Sequence, residues 1–128
     1  MSNPMKQHGA FSWNELMTTD VAGAKAFYGK MFNWQMEDME MDQPYTLAKI
    51  DDEMKAGLMP LTPECGEMPP YWGAYVTVDD VEVSAKQAEA LGGKILLEPR
   101  DIPTVGRMCV ISDPQGATLT IISYFDQE

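Results

Sequence analysis

Apolar and polar positions alternate over Phe11–Thr18. Phe11, Trp13, Glu15 and Met17 fall on one side and Ser12, Asn14, Leu16 and Thr18 on the other, so the period of two predicts a strand with mixed faces. Thr19-Asp20 then supplies a short side-chain oxygen able to accept from the unpaired amides of a first helical turn. Val21, Ala24, Phe27, Tyr28 and Met31 follow at helical spacing, which predicts an amphipathic helix over Asp20–Phe32. Trp34–Met39, Tyr45–Ile50 and Met54–Leu61 read as three short strands, with a turn at Met41-Asp42-Gln43-Pro44. The stretch EDMEMD (Glu37–Asp42) has the alternation of a solvated surface strand.

Residues 62–70 (TPECGEMPP) hold three of the nine prolines and read as a linker, after which the same order returns. Trp72–Val78 predicts a strand. Asp79–Leu91 predicts a helix with Val81, Ser84, Ala85, Ala88 and Leu91 inward, and Asp79 and Glu82 stand at capping-box spacing. Gly92-Gly93 suits a left-handed helix end, the conformation glycine adopts most cheaply. Lys94–Leu97, Arg107–Ser112 and Ala117–Tyr124 predict three more strands, with a turn at Asp113-Pro114-Gln115-Gly116. A shift of 60 positions lays Asp20-Val21 on Asp80-Val81. The chain therefore reads as one domain of two βαβββ modules, about 11–61 and 71–124. Identity between the halves is low, so a generic α+β sandwich with coincidental spacing is the alternative.

Composition narrows the function. The 128 residues suffice for one core without disulfides or metal. Twenty acidic residues against nine basic ones give a net charge of −11, which repels nucleic acid and anionic membranes and argues against both as partners. One histidine, His8, excludes a metal site built on two or three imidazoles and argues against a Ser-His-Asp hydrolase. Cys65 and Cys109 form no CxxC pair, the first residues carry no signal-peptide apolar run, and no stretch has the length of a membrane span. A cytoplasmic protein with reduced thiols is expected. Cys65, flanked by Glu64 and Glu67, has the surroundings of an unreactive thiol, and Cys109 those of a buried one. The eleven methionines are spread along the chain, as core fillers are, without the clustering of a copper site.

Three segments together resemble the vicinal oxygen chelate family, also called glyoxalase/bleomycin resistance/dioxygenase. They are WNELMTTDVAGAKAFYGKMFNW (Trp13–Trp34), VTVDDVEVSAKQAEALGGKIL (Val76–Leu96) and VGRMCVISDPQGATLTII (Val105–Ile122). The resemblance runs from Phe11 to Tyr124. It implies an α+β fold in which two βαβββ modules curl mixed sheets into an open cup around a small ligand, with helices outside. In metal-using members, four strand residues, typically His, Gln or Glu, hold a divalent ion that polarises two neighbouring substrate oxygens. The matching positions here are Trp13, Gly57 or Met59, Gly73 and Thr120, and none is a plausible ligand for such an ion. No metal and no other cofactor is expected.

With Trp13 facing the cup, alternation also brings in Glu15 and Met17, and Gly73, Tyr75 and Thr77 on the partner strand. Glu15 is the candidate general base, since a carboxylate desolvated among aromatic and thioether groups has a raised pKa. Pairing with a lysine or arginine, or exposure at the rim, is its bland alternative. Trp13, Trp72 and Tyr75 can stack on a planar ligand or serve as core and interface, and Gly73 leaves room beside them. Arg107 can clamp an anionic ligand or form a structural salt bridge. Met17, Met59 and Thr120 complete the expected ligand-facing set. Three functions follow: a metal-free binder of a small organic ligand, a glyoxalase-type lyase or isomerase using Glu15 as base, metal-assisted or not, and a regulatory or structural dimer with a vestigial cup. A homodimer is expected, motivated by aromatic-rich edges and short length.

Overall fold

The computed structural model describes residues 3–40, 44–61, 69–102 and 105–125. Among them are eight strands and two α-helices, preceded by a 3-10 turn at Pro4–Lys6. The strands are β1 (Phe11–Thr18), β2 (Gln35–Met39), β3 (Tyr45–Ile50), β4 (Glu53–Pro60), β5 (Tyr71–Thr77), β6 (Lys94–Ile102), β7 (Gly106–Ser112) and β8 (Thr118–Tyr124). The helices are α1 (Val21–Phe32), between β1 and β2, and α2 (Val81–Ala90), between β5 and β6. The α+β class and the tandem β-α-β-β-β order expected from the sequence are both present.

The chain divides into two compact units. One is Trp13–Gly73; the other joins the described residues up to Ser12 with those from Ala74 onward. In the first unit the strands lie in the order β2-β3-β4-β1, with β1 parallel to β4 and the other pairs antiparallel. The second has the order β5-β8-β7-β6, with β5 parallel to β8 and the others antiparallel. The same topology thus occurs twice, and the 60-residue shift carries physical content. Asp20 caps α1 by accepting from Gly23 N at 2.9 Å, and Asp80 caps α2 by accepting from Val83 N at 3.2 Å.

Each unit has its own core. Leu16, Ala48, Ala56 and Leu58 fill the first, with Ala24 and Tyr28 of α1 and Trp34 and Met36 packed against them. Val78, Val81, Ala85, Cys109 and Ile121 fill the second. In both cases the helix covers one sheet face. The even-numbered residues of β1 and β4 point towards α1, so the odd-numbered residues form the opposite face.

Several expectations need correction. Asp79 and Glu82 form no capping box: the cap is Asp80, the Asp79 amide donates to His8 Nδ1 at 2.9 Å, and Glu82 binds Arg107. Leu91 is not inward but 71% exposed, because it ends α2 just before Gly92 (φ 97°) turns the chain away. Strand β6 runs to Ile102, five residues past the predicted end, since Arg100, Asp101 and Ile102 pair with Met108, Arg107 and Gly106. Pro99 disturbs its pattern but is tolerated in a strand that pairs in this unit on one side only. Helix α1 ends at Asn33, which takes the left-handed conformation (φ 61°). The Asp113–Gly116 turn is present: Gly116 N donates to Asp113 O, and Asp113 Oδ1 accepts from Gln115 N and Ala117 N. Residues 41–43 of the first predicted turn, 62–68 of the linker and Cys65 lie outside the described residues. Among the described residues, no helix is long and apolar enough to cross a membrane.

Candidate functional site

The odd face of the first unit gathers Trp13, Glu15 and Met17 from β1, Gly57 and Met59 from β4, and Tyr45 and Leu47 from β3. Register fixes their rows: Glu15 is level with Gly57, Gly57 with Leu47, and Met17 with Met59. Thr46 is level with Leu58, which puts Tyr45 in the methionine row, one step along from Glu15. A tyrosine there reaches β1 only by lying over β4, and residue 57 permits this. A Cβ on Gly57 would overlap the hydroxyl end of the Tyr45 side chain and sit 2.8 Å from its Cε2. Glycine in a strand interior is costly in itself and marks such close approaches.

Lying there, the Tyr45 hydroxyl joins two β1 side chains. Trp13 Nε1 donates to it at 2.9 Å, and it donates to Glu15 Oε2 at 2.8 Å. Both donors point towards the carboxylate, so the two bonds polarise one another in one direction, and the bond to the ionised group is the stronger. The indole, the phenol and the carboxylate are thereby held as one half-buried assembly bordered by Met17, Met59 and Leu47. Lys49 of β3, also on this face by alternation, is paired with Glu37, which raises its pKa.

Of the residues singled out from sequence, the structure brings Trp13, Glu15, Met17 and Met59 together. Trp72 goes elsewhere. Its Nε1 donates to Tyr28 Oη at 3.2 Å, and its ring meets Tyr28 and Trp34 edge-on at 5.4 and 6.2 Å, on the α1 side of the sheet. Tyr75 and Thr120 are both buried, level with one another on β5 and β8 in the second unit. Arg107, also in that unit, is clasped by carboxylates: Nε and Nη2 donate to Glu82 at 2.8 and 3.0 Å, and Nη1 donates to Asp101 at 2.9 Å. These bonds push the guanidinium pKa upward and hold the Glu82 carboxyl below its ordinary value. Its place is that of the structural salt bridge and not of an open anion clamp. Gly73 is close to its own strand neighbour, with a Cβ there 3.4 Å from the Tyr71 ring. Tyr45 was missed by sequence reasoning. Its signal was Gly57, whose missing side chain marks where another lies.

The four positions that correspond to the metal ligands of the family can be tested on this geometry. Trp13 offers an N–H already given to Tyr45, Gly57 lies beneath the Tyr45 ring and its alternative Met59 offers only a thioether, Gly73 has no side chain, and Thr120 offers a neutral hydroxyl. Among the described residues, no three His, Cys, Asp or Glu side chains are grouped so that they could hold an ion. This donor set does not fit a divalent metal.

Two βαβββ units, each a sheet covered on one face by its own helix, define the class of fold. The sequence profile of the Glyoxalase/Bleomycin resistance protein/Dioxygenase superfamily matches residues 10–121, and the chain belongs to that superfamily. It is 36% identical over 126 residues to the putative glyoxylase CFP32 of Mycobacterium tuberculosis, covering 97% of this chain and 48% of that protein. It is 29% identical over 127 residues to the anthracycline biosynthesis protein DnrV of Streptomyces peucetius, covering 88% and 46%. The chain spans about half the length of these relatives. Among solved structures, methylmalonyl-CoA epimerase from M. tuberculosis superposes with a TM-score of 0.64 at 14% identity, over 95% of this chain and 91% of that one. The hypothetical protein BH1468 from Bacillus halodurans gives 0.71 at 11% identity, over 95% and 99%. At such identities these likenesses concern the fold.

Proposed function

We propose that the protein binds a small organic molecule on the odd face of the first unit, against Trp13, Tyr45 and Glu15, without the family's divalent metal. The observation that carries this reading is the hydrogen-bonded chain Trp13–Tyr45–Glu15 laid over Gly57. The assembly sets a half-buried carboxylate beside an indole, a phenol and two thioethers, a largely apolar surface with a few polar groups of the kind that small-molecule sites present. Flat rings and adaptable thioethers are what an organic ligand packs against. The relatives' names, a glyoxylase and an anthracycline biosynthesis protein, both point to small organic molecules and support the reading. The net charge of −11 supports it against nucleic acid and anionic membranes as partners. A cytoplasmic homodimer belongs to the same proposal, and a mass near 14.3 kDa in light scattering would remove the dimer from it.

The test is a screen of planar organic compounds, read by melting temperature and by the indole N–H resonances in NMR. Binding is expected to raise the melting temperature and to move the Trp13 Nε1–H signal, assigned with Trp13→Phe. A broad aromatic panel that moves neither would overturn the reading. Elemental analysis of the untagged protein tests the metal, and a stoichiometric divalent ion would contradict this part.

A second reading is favoured by the carboxylate itself. Glu15 is held in place by Tyr45 and can act as general base in a glyoxalase-type lyase or isomerase reaction. A base of this kind exchanges an acidic C–H of a bound carbonyl compound with solvent deuterium. Exchange by the wild type that is lost in Glu15→Gln is its expected signature.

A further inference from the structure

We infer that the outer face of α1 is the surface on which two copies of this chain meet, packed antiparallel about a two-fold axis. The inference rests on the homodimer proposed above and names the surface that forms it; ligand binding at Trp13, Tyr45 and Glu15 stands apart from it.

The two helices occupy equivalent places in their units but differ on the side turned away from their sheets. Helix α2 is exposed mainly at Glu82, Lys86, Gln87 and Glu89, the polar face that a surface helix ordinarily presents. Helix α1 is exposed at Ala22, Gly23, Ala26, Phe27, Lys30 and Met31, and of these six only Lys30 is charged. Phe27 and Met31 each stand more than half exposed, and Phe27 is braced from behind by Tyr28, whose ring it meets edge-on at 4.9 Å. An apolar helix face built on a rigid aromatic anchor marks an interface.

Shape and charge fit this face to a second copy of itself. At helical spacing the six residues make two neighbouring rows, a low one that begins Ala22-Ala26 and a high one that ends Phe27-Met31. A two-fold axis at the level of Ala26 and Phe27 sets Phe27 of one copy against the partner's Ala26, and Met31 against the partner's Ala22. Large thus meets small in both directions. The same operation brings Lys30 level with the partner's Gly23, over which an aspartate lies: Asp20 Oδ1 accepts from Gly23 N, and a Cβ on Gly23 would stand 2.5 Å from Asp20 Oδ2. Two ion pairs follow, each between Lys30 and the partner's Asp20. Long-range charge favours the same surface. Two chains of net charge −11 repel one another, and no acidic residue occurs between Asp20 and Glu37, the longest such run in the sequence.

Sedimentation velocity over a range of concentrations tests this on the wild type, Phe27→Glu, Met31→Glu and Val83→Glu, the last at an exposed apolar position of α2. The wild type is expected to dimerise. Each α1 substitution acts twice across the axis and should raise the dissociation constant at least about tenfold, while Val83→Glu leaves it unchanged. A second measurement needs no variant, so one that fails to fold leaves the test decisive. In a mixture of isotope-labelled and unlabelled wild type, NOEs between copies should join the Phe27 ring to the Ala26 methyl and the Met31 methyl to that of Ala22. A dimer that is unchanged in both α1 variants, that weakens as much in Val83→Glu, or whose NOEs between copies fall on other residues overturns this surface and leaves the homodimer standing. A wild type that stays at 14.3 kDa at every concentration removes the homodimer and this surface together, while binding at the odd face of the first unit is decided by its own screen.

Discussion

The Tyr45 side chain crosses β4 directly over Gly57, the one position where β4 presents no side chain to that face between Tyr45 and Glu15. The relationship links a register to a hydrogen-bond chain. Glycine is needed at 57 not for its backbone freedom, since its φ is not in the left-handed range, but for the volume it leaves open.

Gly57→Ala should therefore displace Tyr45 and separate it from Trp13 and Glu15. Crowding a packed site in this way costs about 1–3 kcal/mol. Urea denaturation of Gly57→Ala, and of the same change in a Tyr45→Ala background, checks the cause. The loss should be large with the tyrosine present and small without it. Equal losses in the two backgrounds would show that the cost lies in the strand and not in the contact.

Tyr45→Phe keeps the ring over Gly57 and removes only the hydroxyl. It removes one hydrogen bond from the Trp13 N–H and one from a Glu15 oxygen, and because both side chains are only half-buried a cost of about 0.5–1.5 kcal/mol follows. The Trp13 Nε1–H resonance should move upfield as its acceptor disappears, and an unchanged resonance would contradict the bond.

The sequence carried the local devices well and the long-range ones poorly. Asp20 and Asp80 were visible as caps or next to them because a cap is decided by three or four consecutive residues, and the structure puts each directly before Val21 and Val81. Tyr45 was invisible as a site residue because its role depends on the register of two strand pairings, β1 with β4 and β3 with β4, which no local pattern encodes. Trp72 is a case of phase: it neighbours Gly73, so a period of two sends it to the α1 side, among Tyr28 and Trp34. Likewise Phe27 and Met31, which fit the helical spacing, stand 58% and 63% exposed, while Ala24 and Tyr28 make the packing of α1. Spacing alone gives a stripe; which flank of it meets the sheet is set by the sheet.

The two helix caps supply a matched pair of measurements. Asp20→Ala removes the acceptor of Gly23 N and Asp80→Ala that of Val83 N, each at the start of a helix that closes one core. Each should cost about 1 kcal/mol in urea denaturation, with Asn at either position recovering most of it. If Asn recovers nothing, the aspartates act through charge at the helix terminus instead of through the cap bond.

Acid should weaken the first unit through Asp38. Lys25 Nζ donates to its carboxylate at 2.9 Å and Thr46 Oγ1 at 2.8 Å, and these bonds, the lysine's first, hold its pKa below the ordinary carboxylate value. A group whose pKa is lower folded than unfolded adds stability above its unfolded pKa, and that contribution is lost as the pH falls through the folded one. The window therefore opens below about pH 4, where an unfolded aspartate begins to take up its proton. Asp38 is at the surface, so the effect is small and screened by salt. Comparing wild type with Asp38→Asn by urea denaturation from about pH 6 down to pH 3, at low salt, checks it. Wild type should be the more stable at the upper end, and the difference should narrow on acidification. A difference that stays constant, or widens as the pH falls, would mean that Asp38 is not ionically coupled to Lys25.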